Sequence, residues 1–166
     1  MSEQLEIAKG NKADKYSLLL RQIEALADGE NDMIALMANI SSMIHFTFDY
    51  LWTGFYRVSG PALILGPFQG PLACTRIPFG KGVCGTAWKD KQTLVVADVN
   101  EFPGHIACSS ESKSEIVVPI KANGNVIGVL DIDSDQPGTF DQTDAIWLER
   151  IAQVIENSVE SGELSI

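Results

Sequence analysis

Cys74, Cys84 and Cys108 are the only cysteines of this 166-residue chain, with nine and 23 residues between them. Three cysteines cannot all pair within one chain, and no C-x-x-C occurs. Reduced thiols, metal ligands and redox-active groups therefore stand ahead of a disulfide framework. Cys108 lies in "HIACSS", a polar segment in which a thiolate would be hydrated or hydrogen-bonded. Cys84, in "GVCG", starts a short helix, where the positive end of the helix dipole favours thiolate; simple burial as a packing residue is the alternative. His105-x-x-Cys108 is half of a zinc-like set, but the paired knuckles of structural zinc sites are missing. We assign no metal.

The carboxylates come next. Asp131 and Asp133 are two apart in "LDIDS" and share one face of a strand, and Glu115 opens the preceding strand. A hairpin centred on Asn123-Gly124 pairs positions summing to about 247. Glu115 then faces residue 132, flanked by the two aspartates, and a one-residue change in register sets it directly across from one of them. Such acids are either a solvated face or a cluster that must meet a cation or share a proton. The second case suits binding of an ammonium group or general acid catalysis. Trp52 and Tyr56, with Gly54 between them, share a strand face and build either core or a flat apolar wall, with Leu51, Phe55 and Arg57 on the other face. The turn "PFGKGVCG" matches neither nucleotide-binding glycine pattern, yet its backbone N–H groups suit a small anion such as a carboxylate.

Elements must hold these groups in place. Helical spacing runs over 13–28 and again over 31–46, the latter capped by Asn31 or Asp32. Alternating strands follow, then an irregular stretch containing every cysteine, the 115–134 hairpin, and a long amphipathic helix capped by Asp141 with Phe140 as its staple. The order predicts an α+β fold: a mostly antiparallel central sheet, N- and C-terminal helices on one face, and an irregular active-site region on the other. No repeat or linker interrupts it. Apolar residues make up 45% and charged residues 20%, as in a soluble globular domain. The net charge of −10 speaks against nucleic acid or an anionic membrane as partner. Neither a signal peptide nor a spanning segment is visible, so the expected location is cytoplasmic.

Three segments, "LGPFQGPLACTRIPFGKGVCGTAW", "HIACSSESKSEIVVPI" and "GVLDIDS", resemble the GAF-domain family of free methionine-(R)-sulfoxide reductases, and the resemblance covers about 13–160. It implies a single GAF domain at 13–160 between tails at 1–12 and 161–166, and reduction of the free amino acid sulfoxide to methionine. It further implies Cys108 as the cysteine that becomes sulfenic acid and Cys74 or Cys84 as the resolver. Glu115, Asp131 and Asp133 fall at the acidic substrate-binding and acid-catalytic positions, and Trp52 and Tyr56 at the pocket walls. With these roles, Glu115 would protonate the sulfoxide oxygen. Asp131 and Asp133 would hold the ammonium, and the backbone of Gly80, Lys81, Gly82 and Val83 the carboxylate. A loop would close over the substrate. No cofactor is expected; a thioredoxin-type dithiol would reduce the resulting disulfide, and the family resemblance implies a homodimer. The rival readings are a stand-alone ligand-sensing GAF domain and a zinc module. His105 receives no role.

Overall fold

The computed structural model describes residues 4–164; the outermost residues of both expected tails, 1–3 and 165–166, lie outside the described residues. Two helices come first, α1 (Lys12–Ala27) and α2 (Met33–Phe48). Asn11 caps α1 and exchanges hydrogen bonds with Asp14, a reciprocal box that starts the helix one residue before the periodicity suggests. Asp32 caps α2 by accepting from the Ala35 N–H at 2.9 Å. Strands β1 (Trp52–Ser59), β2 (Ala62–Gln69) and β3 (Arg76–Pro78) precede the short helix α3 (Gly82–Asp90). Strand β4 (Leu94–Val96), a 3₁₀ turn at Val99–Glu101, strands β5 (Ser114–Ala122) and β6 (Asn125–Ser134), and helix α4 (Gln142–Glu160) complete the order. The sheet is antiparallel throughout, in the order β3-β2-β1-β6-β5-β4.

The two faces of this sheet bury different things. Helices α1, α2 and α4 cover one face, where Leu19, Ile23, Leu36, Ile40, Leu148 and Ile151 pack with Phe55, Ile116, Val118, Leu130 and Ile132. The strand period of two sends the alternate residues to the other face. There Trp52, Tyr56, Val117 and Val129 meet Val83, Cys84 and Ala87 of α3 and Val99 of the irregular stretch. The architecture is the expected α+β arrangement, with the helices on one side and the cysteine-bearing region on the other. Glu115, Asp131 and Asp133 share the second face with Val117 and Val129.

Register decides how those acids meet. Asn123 and Gly124 both have positive φ, 51° and 79°, as a tight hairpin turn of type I′ requires. Next to the turn the pairs sum to 247, as the sequence predicts: Ala122 with Asn125 and Lys121 with Val126. A register shift between Ile120 and Lys121 then leaves Ile127 as the extra residue, and Ile120 pairs with Gly128. Beyond it every pair sums to 248, so Glu115 lies directly opposite Asp133 rather than opposite residue 132. The bulge makes the one-residue correction that turn arithmetic could not supply.

Candidate active site

A small cleft opens on the α3 face of the sheet, with a volume of about 40 Å³. Its floor is acidic. Glu115 and Asp131 are each 6% exposed, and Asp133 lies across the ladder from Glu115 and beside Trp52 on β1. Burial raises the Glu115 carboxyl to about 8, with the charge of Asp133 adding to the effect. Asp133 is raised less, to about 6, because the Ser112 hydroxyl donates a hydrogen bond to it and His105 adds positive character nearby. Asp131 is pushed well above the usual carboxylate range by burial and by its acidic neighbours. Its Oδ1 has no hydrogen-bond partner among the described residues. Three acids on one floor are therefore unequal, Glu115 favouring its proton more than Asp133 does.

The aromatic wall depends on a glycine. A Cβ on Gly54 would lie 2.4 Å from the Phe68 Cβ and 2.6 Å from the Trp52 ring. Without it, Trp52 lies along the strand and stacks on Phe68 at 5.3 Å and on Tyr56 at 5.9 Å between ring centroids. Tyr56 donates from its hydroxyl to the Cys74 carbonyl at 3.0 Å, joining the wall to the cysteine loop. Leu51, which alternation sends to the opposite face, also lines the cleft. It precedes β1 in a bend, where the period of two does not apply.

The cysteines divide into two kinds. Cys74 and Cys108 are joined by a disulfide, although both lie outside helices and strands and are 34 positions apart. Cys84 is a free thiol, buried, 3.9 Å from Glu115 Oε1. Its expected activation by the start of α3 is corrected by its surroundings. Burial and the negative charges of Asp131 and Glu115 push the thiol up rather than down, which outweighs the partial charge of a short helix. The zinc set of three cysteines and His105 cannot assemble in this state, because two of the sulfurs bond to each other.

Of the glycine turn, Gly82 and Val83 line the cleft; Gly80 and Lys81 are not brought to it. The Gly80 N–H donates to Gly85 O and the Lys81 N–H to Pro78 O. The first-turn N–H groups of α3 have no acceptor within the helix, which leaves them as donors suited to an anion. Gly82 has φ 61°, and a Cβ there would meet Ile106 at 3.2 Å, so the turn also seats the loop that carries Cys108.

Three polar residues that line the cleft, His105, Ser109 and Ser112, were not assigned from the sequence, and two of them touch the acids. His105, set aside as a loop residue, places Nε2 3.7 Å from Glu115 Oε2. Ser112 holds Asp133. Neither carries a periodic signal, since loop geometry brings both in. Ser112 lies between Cys108 and the acid strand, and His105 carried only the His-x-x-Cys spacing noted above.

The residues 31–160 match the family model described as GAF domain. "GAF domain-containing protein A" of Dictyostelium discoideum is 54% identical over 158 residues, covering 95% of this chain and all of that one. The "Free methionine-R-sulfoxide reductase" of Saccharomyces cerevisiae is 46% identical over 157 residues, covering 89% of this chain and 87% of the yeast protein. In three dimensions the free methionine-R-sulfoxide reductase of Neisseria meningitidis, solved in complex with its substrate, superposes with a TM-score of 0.93 at 48% identity over 96% of each chain. With identities this high along nearly the full length, the chain belongs to the GAF-domain family of free methionine-R-sulfoxide reductases.

Proposed function

We propose that this protein reduces free methionine-(R)-sulfoxide to methionine. The observation that carries the reading is the Cys74–Cys108 disulfide at the side of a cleft floored by the buried Glu115, whose carboxyl is raised to about 8. A sulfoxide sulfur is attacked by a thiolate only as its oxygen gains a proton, and a carboxylic acid whose burial keeps it protonated near neutral pH can supply one. In the reduced protein the Cys108 thiolate attacks the sulfur while Glu115 protonates the oxygen. Oxygen passes to Cys108 as sulfenic acid and methionine leaves. The Cys74 thiolate then attacks the Cys108 sulfur, the S–O bond breaks, the oxygen departs as water, and the disulfide remains. Cys74 is the resolver in this scheme because it is the cysteine bonded to Cys108, whereas Cys84 is buried with a raised thiol.

Substrate recognition follows from the floor and walls. Asp133, the acid most able to ionise, and the unpartnered Oδ1 of Asp131 take the ammonium. The N–H groups of Gly82 and Val83 take the carboxylate, and Trp52 and Tyr56 bound the methyl end. A residue inside a peptide lacks both charged termini, so the free amino acid is preferred. The scheme needs no resident cofactor, only an external dithiol of the thioredoxin type to reopen the disulfide.

The test is NADPH oxidation through thioredoxin reductase and thioredoxin with each epimer of free methionine sulfoxide. The R epimer alone should turn over, and a peptide-bound sulfoxide should not. Cys108→Ser should abolish turnover; Cys84→Ser should retain both turnover and the substrate-driven disulfide. Turnover by Cys108→Ser, or a disulfide mapped to Cys84, would overturn the assignment.

A further inference from the structure

His105 is held where it is by its own loop. Phe102-Pro103-Gly104-His105 is a tight turn in which the His105 N–H donates to Phe102 O at 3.1 Å and Gly104 takes φ 74°, the pattern of Pro then Gly in a type II turn. On either side Phe102 and Ile106 pack into the core of the cleft face, with Ile106 against Gly82. The backbone at His105 is thus held in place, and its Nε2 faces Glu115.

The Glu115 carboxyl lies beside that of Asp131, within 4.8 Å, and its two oxygens face different further groups. Oε1 faces the buried Cys84 thiol, and Oε2 faces His105 Nε2 at 3.7 Å. The Glu115 side chain is 7% exposed and that of His105 15%. The groups around this pair are Cys84 on α3, Tyr56 on β1, Asp131 and Asp133 on β6, and Ser112 on the loop before β5. Cys84 and Tyr56 are raised away from ionisation, so neither gives up a proton readily. The reductase reading assigns Asp131 and Asp133 to the substrate ammonium. Imidazole can take up a proton at one ring nitrogen and give one up at the other, which suits it to pass a proton on.

The reaction uses Glu115 twice. It loses its proton to the sulfoxide oxygen in the first step. Departure of oxygen as water, when Cys74 attacks the Cys108 sulfenic acid, needs another proton. We propose that His105 is the positioning residue that returns a proton to Glu115 between these two steps. His105 passes a proton from Nε2 to Glu115 Oε2 and regains one from solvent. The two protons released when Cys108 and Cys74 ionise go to solvent, and His105 draws two back, one after each step, so that Glu115 ends protonated and the cycle balances. Closing the gap from 3.7 Å to hydrogen-bond range needs a shift of about 0.7–0.9 Å, of the kind that catalytic contacts show between resting and reacting states. The inference rests on the reductase reading.

The test separates the two steps. Reduced protein is mixed with one equivalent of free methionine-(R)-sulfoxide and no external reductant, and methionine and disulfide are followed independently. With His105→Asn, methionine should form within about twofold of the wild-type rate, while disulfide formation slows about tenfold or more. Cys108 sulfenic acid, trapped by a dimedone-type reagent, should accumulate. Imidazole in the buffer should restore disulfide formation to His105→Ala; if that variant does not fold, sulfenic acid accumulation in His105→Asn decides. Unchanged disulfide formation, equal slowing of both steps, or a slow step that imidazole leaves slow would each overturn the proposal. Failure of the wild type to form methionine would instead remove the reductase reading beneath it.

Discussion

Glu115 holds its proton because it is buried among other acids, and that has a measurable sign. Its folded-state value of about 8 lies above that of an exposed carboxyl, so the folded protein binds more protons than the unfolded chain between the usual carboxylate range and about 8. Stability should therefore fall as pH rises through that window. Glu115→Gln should flatten the fall, read from urea midpoints at about pH 6 and about pH 9. The first chemical step should show the same ionisation: wild-type single-turnover methionine formation should decline above about pH 8, where the acid form is lost. Glu115→Gln, which fits the same space but cannot donate the proton, should lose about a hundredfold or more in that step. A Glu115→Gln enzyme as fast as wild type would end the assignment of Glu115 as the acid.

Among the elements, α4 and the β5–β6 hairpin do most to fix the geometry. Asp144 closes a capping box with Asp141 at the start of α4 and is itself fully buried. It takes hydrogen bonds from Lys12 Nζ at 2.6 Å, Tyr16 at 2.7 Å and Tyr50 at 3.2 Å. One carboxylate thus ties α1, α4 and the lead into β1 together. Asp144→Ala would leave two buried hydroxyls without an acceptor and should cost about 3 kcal/mol in chemical unfolding. Because this network lies on the face opposite the cleft, the activity of the folded fraction should survive well below the melting temperature. On the cleft face, Gly54→Ala places a methyl inside Phe68 and the Trp52 ring. It should raise KM through a displaced wall more than it lowers kcat.

For the molecule as a whole, the disulfide-bonded state is a closed one. A cleft of about 40 Å³ has room for a few waters, less than methionine sulfoxide fills. On the proposed mechanism the Cys74 and Cys108 loops part before substrate enters. Calorimetry should find no binding of methionine sulfoxide to the oxidised wild type, and clear binding to reduced Cys108→Ser, which cannot react. Equal binding to both would show that the disulfide does not gate the cleft. Light scattering of the purified protein tests the homodimer implied by the family resemblance, for which twice the 18.0 kDa chain mass is expected. Among the described residues, no helix is long and apolar enough to cross a membrane.

Much of this was legible in the chain because local rules govern it. Alternation put Glu115, Asp131 and Asp133 on one face, Asn123-Gly124 announced the hairpin, and Gly54 between two aromatics announced a flat wall. Each depends on a strand period or a turn conformation that neighbouring residues dictate. Long-range contacts settled the rest. A bulge at Ile127 moved Glu115 opposite Asp133, loop packing chose Cys74 over Cys84 as the partner of Cys108, and a turn anchored by Phe102 and Ile106 turned His105 toward Glu115. Burial also reversed the expected ionisation of Cys84. Spacing along a chain sets which face a side chain takes, whereas its neighbours and its dielectric surroundings come from segments distant in sequence, and only folding brings those together.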